Sequence, residues 1–99
     1  MAYSQHRPDL IRGRIGPFGN LTLYRYISGQ KWTREIRGQD FLTPMEAAVV
    51  LQVHRVTMHG WVSTGVIPSH SSDYGALLRW RDVRKFGKDH GLLPKTIQG

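Results

Sequence analysis

Leu42-Thr43-Pro44-Met45-Glu46-Ala47-Ala48-Val49-Val50-Leu51-Gln52-Val53-His54-Arg55-Val56-Thr57-Met58-His59-Gly60-Trp61-Val62-Ser63-Thr64-Gly65-Val66-Ile67-Pro68 is the stretch whose reading decides the fold. Thr43 precedes Pro44, and Glu46 lies three residues after Thr43. That is a capping box with proline at the first helical position. A first helix then runs to Leu51, rich in small residues that permit close packing. Gln52-Val53-His54 interrupts it. A second helix is expected over Arg55–Ser63, and Thr64-Gly65 stops it, glycine leaving the helix in a left-handed conformation. Pro68 forbids helical continuation.

Downstream, Ser69–Gly75 is a polar loop, and Ala76–Trp80 is a short strand candidate. Arg81–Phe86 reads as a third helix, with Val83 and Phe86 on one face and Gly87 weakening its end. Upstream, Leu21–Ile27 and Lys31–Ile36 are two β-rich runs around Ser28-Gly29-Gln30, which reads as a hairpin. A lone hairpin is marginal in water, so it must pack on the helical half. Arg37–Asp40 is too short a linker to separate two domains.

Composition narrows the class. The 99 residues suffice for one modest core. With no cysteine there is neither a disulfide framework nor a thiolate zinc site. No apolar run reaches the roughly 20 residues of a membrane span, and the first residues hold no apolar signal core. A cytoplasmic, nucleoid-associated protein with no membrane partner is the expectation. Net charge is +7, with seven basic against three acidic side chains in residues 1–40 and seven against four in 41–99. Such a balance attracts polyanions, because neutralised phosphates release condensed counterions.

Residues 42–86 resemble the winged helix-turn-helix of the excisionase and MerR-type regulators. The resemblance rests on Leu42-Thr43, Glu46-Ala47-Ala48, Trp61-Val62, Gly65 and Ile67-Pro68, in that order and spacing. It implies an α+β winged helix-turn-helix preceded by an N-terminal β-hairpin. The boundaries are a flexible basic arm over 1–13, a hairpin extension over 14–40, the DNA-binding domain over 41–93 and a frayed tail over 94–99. Ala47 and Ala48 let the helices cross closely, and Leu51, Val53, Met58, Trp61 and Val62 fall at core spacings.

The resemblance implies a function as well: double-stranded DNA bound with the second helix in the major groove. The recognition-helix candidates are His54, Arg55, Val56, Thr57 and His59. Arg55 can grip guanine in two places, Val56 can meet thymine methyls, and Thr57 and His59 can reach phosphate. The wing would be Ile67–Trp80, its tip at Ser69–Gly75. Its candidates are Ser69, His70, Ser71, Ser72 and Tyr74, with Arg79, Arg81, Arg84 and Lys85 as further phosphate contacts. The sequence departs from the family pattern at Gln52, where glycine is usual, at His54, where serine usually caps, and at Val56 and Gly60, where polar or basic side chains are common. The second helix therefore carries few hydrogen-bond donors.

About a dozen residues follow Phe86, so no effector domain of the MerR type is expected. The closest roles are a transcriptional regulator, an excisionase-type architectural factor or a phage small terminase-type packaging subunit. So short a module implies a homodimer or cooperative array on DNA. The alternative is a protein partner on the same scaffold, met by the second helix. Tyr24, Tyr26 and Trp32, with Arg25, Lys31 and Arg34, form a further candidate, a single-strand stacking platform; packing on a core is the commoner use of such aromatics, and a dimer contact through the hairpin edge is another. His54 and His59 are five apart and diverge on a helix; His6, His70 and His90 lie in arms or loops. No metal, cofactor or catalytic residue is expected, and the chain reads as a non-enzyme.

Overall fold

The computed structural model describes residues 11–94 and 96–98. In chain order the elements are β1 (Ile11–Ile15), β2 (Leu21–Ile27), β3 (Gln30–Ile36), β4 (Phe41–Leu42), α1 (Pro44–Leu51), α2 (Arg55–Ser63), β5 (His70–Ser72), β6 (Gly75–Arg79), α3 (Trp80–Asp89) and β7 (Thr96–Gln98). The described residues make a small α+β domain of three helices and two antiparallel sheets.

The larger sheet has the order β3-β2-β1-β7. Alternation sets its two faces. Ile11, Gly13, Leu21, Leu23 and Ile36 turn inward and are buried. Arg12, Arg14, Thr22, Tyr24 and Tyr26 turn the other way. Ser28 and Gly29 both hold positive φ, 52° and 79°, as a two-residue hairpin turn between right-twisted strands requires. The Gly16–Asn20 turn closes β1 on β2 through Gly16 N–H donating to the Asn20 carbonyl at 2.9 Å.

The smaller sheet has the order β4-β6-β5. Leu42 pairs with Leu78, and both are fully buried. α1 contacts β1, β7, β4, β6 and α2, and so bridges the two sheets and the second helix. Its capping box is complete: Glu46 N–H donates to Thr43 Oγ1 at 3.2 Å, and Thr43 N–H donates to Glu46 Oε1 at 3.0 Å. Gln52 then turns left-handed, φ 56° and ψ 43°, and ends the helix. The second helix starts as the sequence indicates. α3 begins on carbonyls of the Arg37–Asp40 linker: Trp80 N–H donates to Asp40 at 2.9 Å and Arg81 N–H to Gly38 at 3.0 Å. Those bonds satisfy amides that a helix start leaves unpaired.

Several boundaries differ from expectation. Residues 1–10 of the expected arm lie outside the described residues, but Ile11–Gly13 belongs to β1. Gly13, expected in the flexible arm, permits close approach in the sheet, since a Cβ there would run into the Thr22 carbonyl oxygen and the Leu23 side chain. The expected frayed tail is paired where described, Thr96–Gln98 running antiparallel to β1. β4 has only two residues, too few to show a period. Trp80, expected in a strand, opens α3. α3 continues through Gly87, where a Cβ would meet Leu51 and Leu93 at 2.7 and 2.9 Å. That glycine lets the loop after α3 close on α1. The expected loop at Ser69–Gly75 is narrower: His70–Ser72 is strand, and the chain turns at Asp73-Tyr74.

Glu46 links the layers. Its side chain is 6% exposed, and Oε1 and Oε2 each accept from Arg34 Nη2 at 3.0 Å, with Arg25 Nη2 at 3.5 Å. Glu46→Ala removes the acceptor for the Thr43 amide and both ionic contacts, while Thr43 Oγ1 still accepts from the backbone amide at position 46. The expected loss is about 2 kcal/mol, from the lost half of the capping box plus charged hydrogen bonds discounted for half-exposed guanidinium partners. Glu46→Gln keeps an acceptor for Thr43 and should lose clearly less. Urea unfolding of the two variants checks both the size and the order.

Candidate nucleic-acid interface

The α2 surface follows from helical spacing. Met58 is fully buried, and Trp61 and Val62 pack half-buried against the core three and four residues on. The Trp61 ring meets Phe86 of α3 at 4.8 Å between centroids. Arg55, Val56, Thr57, His59, Gly60 and Ser63 are left exposed.

His54 does the capping work that serine usually does, Nδ1 accepting from Val56 N–H at 3.1 Å. Accepting at Nδ1 leaves Nε2–H as the ring's donor. The first turn of α2 holds no acidic residue, and no carboxylate occurs between Glu46 and Asp73. The positive end of the helix dipole is thus not offset locally. Arg55, Val56 and His59 line a shallow cleft of about 340 Å³ with Pro44 and Met45 of the first turn of α1. Three of the five recognition-helix candidates therefore meet at one place; His54 and Thr57 are exposed beside it.

The remaining candidates have separate surroundings. Ser69, Ser71 and Tyr74 are exposed, Tyr74 at 95%. Ser72 Oγ accepts from Tyr74 N–H at 3.1 Å and donates to the Gly75 carbonyl at 2.8 Å, so its hydroxyl is engaged within the turn. His70 sits edge-on to Phe41 at 5.5 Å, and the Arg79 guanidinium lies over the same ring at 5.0 Å. Both belong to the outer face of the smaller sheet. Arg84 packs its guanidinium on Gly19 of the β1–β2 turn, whose carbonyl accepts from the buried Trp80 indole at 2.8 Å. Lys85 is bonded to Asp89 at 2.8 Å. That hydrogen bond and charge hold the ammonium above its ordinary range and the carboxyl below its own. Arg81 is exposed, with no carboxylate partner among the described residues.

The hairpin aromatics split between faces. Tyr24, Tyr26 and Lys31 share the outer face of the larger sheet with Arg12, Arg14 and Thr33. Lys31 Nζ stands 4.5 Å over the Tyr24 ring, and a concavity of about 280 Å³ opens among Arg14, Thr22, Tyr24, Lys31 and Thr33. Arg25, Trp32 and Arg34 lie on the other face, toward Glu46. Sequence reasoning missed Arg12 and Arg14 as surface cations of a sheet. The signal was the alternation in Ile11-Arg12-Gly13-Arg14-Ile15.

Among the described residues no group of His, Cys, Asp or Glu could hold a metal ion, and no helix is long and apolar enough to cross a membrane. No protein-family model, curated protein or solved structure matches the chain.

Gly60 lies on the exposed face of α2, and a Cβ there would meet nothing within 4 Å. Gly60→Ala should therefore stabilise the protein by about 0.5–1 kcal/mol, read as a higher Tm.

Proposed function

We propose that the chain is a winged helix-turn-helix protein that binds double-stranded DNA, with α2 in the major groove and the β5–β6 hairpin along the phosphates. The observation that carries this reading is the tight α1–Gln52–α2 turn, which leaves the N-terminal half of α2 exposed, cationic at Arg55 and free of carboxylates. The net charge of +7 supplies the attraction. In this reading Arg55 grips guanine or phosphate, Val56 meets thymine methyls, and His54, Thr57 and His59 donate to base edges or phosphate. Ser69, Ser71 and Tyr74 offer hydroxyls to the backbone, and Arg81 an exposed guanidinium. Such a protein works on the nucleoid as a regulator, an architectural factor or a packaging subunit.

A second reading is favoured by one specific feature. Met45 and Val56 are 46% and 67% exposed around the α1–α2 cleft, and that apolar rim suits a protein side chain.

The two readings separate in one titration. Labelled mixed-sequence duplex and single-stranded DNA are titrated at two salt concentrations with wild type and Arg55→Ala. The DNA reading expects tighter binding to duplex and a steep fall with salt. It also expects Arg55→Ala to weaken duplex binding several-fold and to reduce the salt slope by about one unit. A variant that binds like wild type, or no binding to duplex at moderate salt, overturns it and leaves the cleft to a protein partner.

A further inference from the structure

Among the described residues β3 has one neighbour, β2, and its other edge is open. Gln30 to Glu35 are all exposed, so no described element overhangs that edge. The bonding direction of each residue follows from the hairpin. A two-residue turn makes Ile27 and Gln30 a hydrogen-bonded pair. Bonded and non-bonded pairs then alternate along the antiparallel ladder. With the observed register, Gln30, Trp32, Arg34 and Ile36 bond to β2. Lys31, Thr33 and Glu35 aim their amides and carbonyls outward. An open row of this kind is a template for another strand.

The side chains on that edge select the strand it fits. We propose that two copies of the chain pair antiparallel through β3 about a two-fold axis at Thr33, joining their larger sheets into one. Lys31 of each copy then stands opposite Glu35 of the other, and Trp32 opposite Arg34 of the other. Thr33 meets Thr33 as a hydrogen-bonded pair, which is what its outward amide and carbonyl require.

The other two-fold registers are worse. An axis at Lys31, Arg34 or Glu35 sets like charges directly opposite, which is destabilising in a sheet. An axis at Trp32 carries Glu35 past the strand to face Gly29. Only the axis at Thr33 pairs the strand along its whole length with no like charges directly opposite. The faces agree too. Lys31 and Glu35 meet on the outer face. Trp32, 57% exposed in the single chain, meets on the inner face a guanidinium that Glu46 already holds at 3.0 Å. A fixed guanidinium over an indole is a favourable cation–π contact. Charge on edge strands commonly forbids pairing; here its order sets the register.

One shared ladder is small beside the about 1,200–2,000 Å² of a standard interface, so the dimer is concentration-dependent. Sedimentation equilibrium on the full chain, from micromolar to about millimolar, tests it. Wild type should show a monomer–dimer equilibrium. Lys31→Glu and Glu35→Lys should each weaken it at least tenfold, and the double exchange should restore it. Lys31→Glu lowers net charge by two and eases general repulsion, so weakening by that variant reports the local pair. Thr33→Pro should abolish the dimer while leaving the bonds to β2 intact, because its amide faces away from β2; a thermal melt checks the fold. A wild type that stays monomeric throughout, a double exchange no better than the single ones, or dimerisation by a folded Thr33→Pro variant overturns the proposal. The inference stands on the edge strand and not on DNA binding. Duplex binding by a strict monomer would sink it alone, and a dimer indifferent to DNA would sink only the functional reading.

Discussion

One buried carboxylate ties the start of the helical layer to the larger sheet. Glu46 closes the capping box of α1, and its oxygens also take the guanidinium groups of Arg34 and Arg25 from the larger sheet. Burying a carboxylate is costly unless its charge is matched and its lone pairs are used. Here a backbone amide, a threonine hydroxyl and two guanidiniums supply both. No buried side-chain nitrogen or oxygen among the described residues lacks a partner. The apolar core that Leu21, Leu23 and Ile36 share with α1 is not directional, and a helix can slide on such a surface. The ionic contact fixes where the first turn of α1 sits on the sheet. Through the short Gln52-Val53-His54 turn it fixes α2 as well.

The legible part of this fold was local. Thr43, Pro44 and Glu46 announce a helix start because their spacing is that of the cap itself. Gly65 likewise marks the end of α2, at φ 77°. Gln52 holds φ 56°, because the turn needs a left-handed residue, and glutamine holds it at some cost in backbone energy. His54 shows the opposite. Its ring nitrogen reaches the Val56 amide, so an unusual cap residue keeps the cap.

What was not legible is non-local. β7 exists because β1 offers it an edge far away in sequence, and nothing in Thr96-Ile97-Gln98 alone shows that. Gly13 and Gly87 look like interruptions until the neighbours that need their missing side chains are known. The same holds for the candidate site. Arg55, Val56 and His59 share a helix face by period alone, and they do meet. Arg79, Arg81, Arg84 and Lys85, expected as further phosphate contacts, are near one another in sequence. In three dimensions Phe41 takes Arg79, Gly19 takes Arg84 and Asp89 takes Lys85. Sequence proximity gave their number and could not give their partners.

The layering gives the charge distribution its meaning. α1 packs on the inner face of the larger sheet, and α2 packs on α1, so the outer face with Arg12, Arg14 and Lys31 looks away from the helices. Cations there cannot touch a duplex docked on α2. They can still raise its local concentration, since the field of a net-positive protein extends over roughly a Debye length, about 10 Å at 0.1 M salt. A two-fold axis at Thr33 is perpendicular to the sheet, because the paired strands lie in it. Rotation about that axis keeps the faces of the sheet unchanged. Both helical layers of such a pair lie on the same side, and both copies of α2 look the same way. That is the geometry a two-fold operator needs, with half-sites a helical turn or a multiple of it apart. An axis lying in the plane of the sheet would send the two helices to opposite sides, where no single straight duplex could meet both.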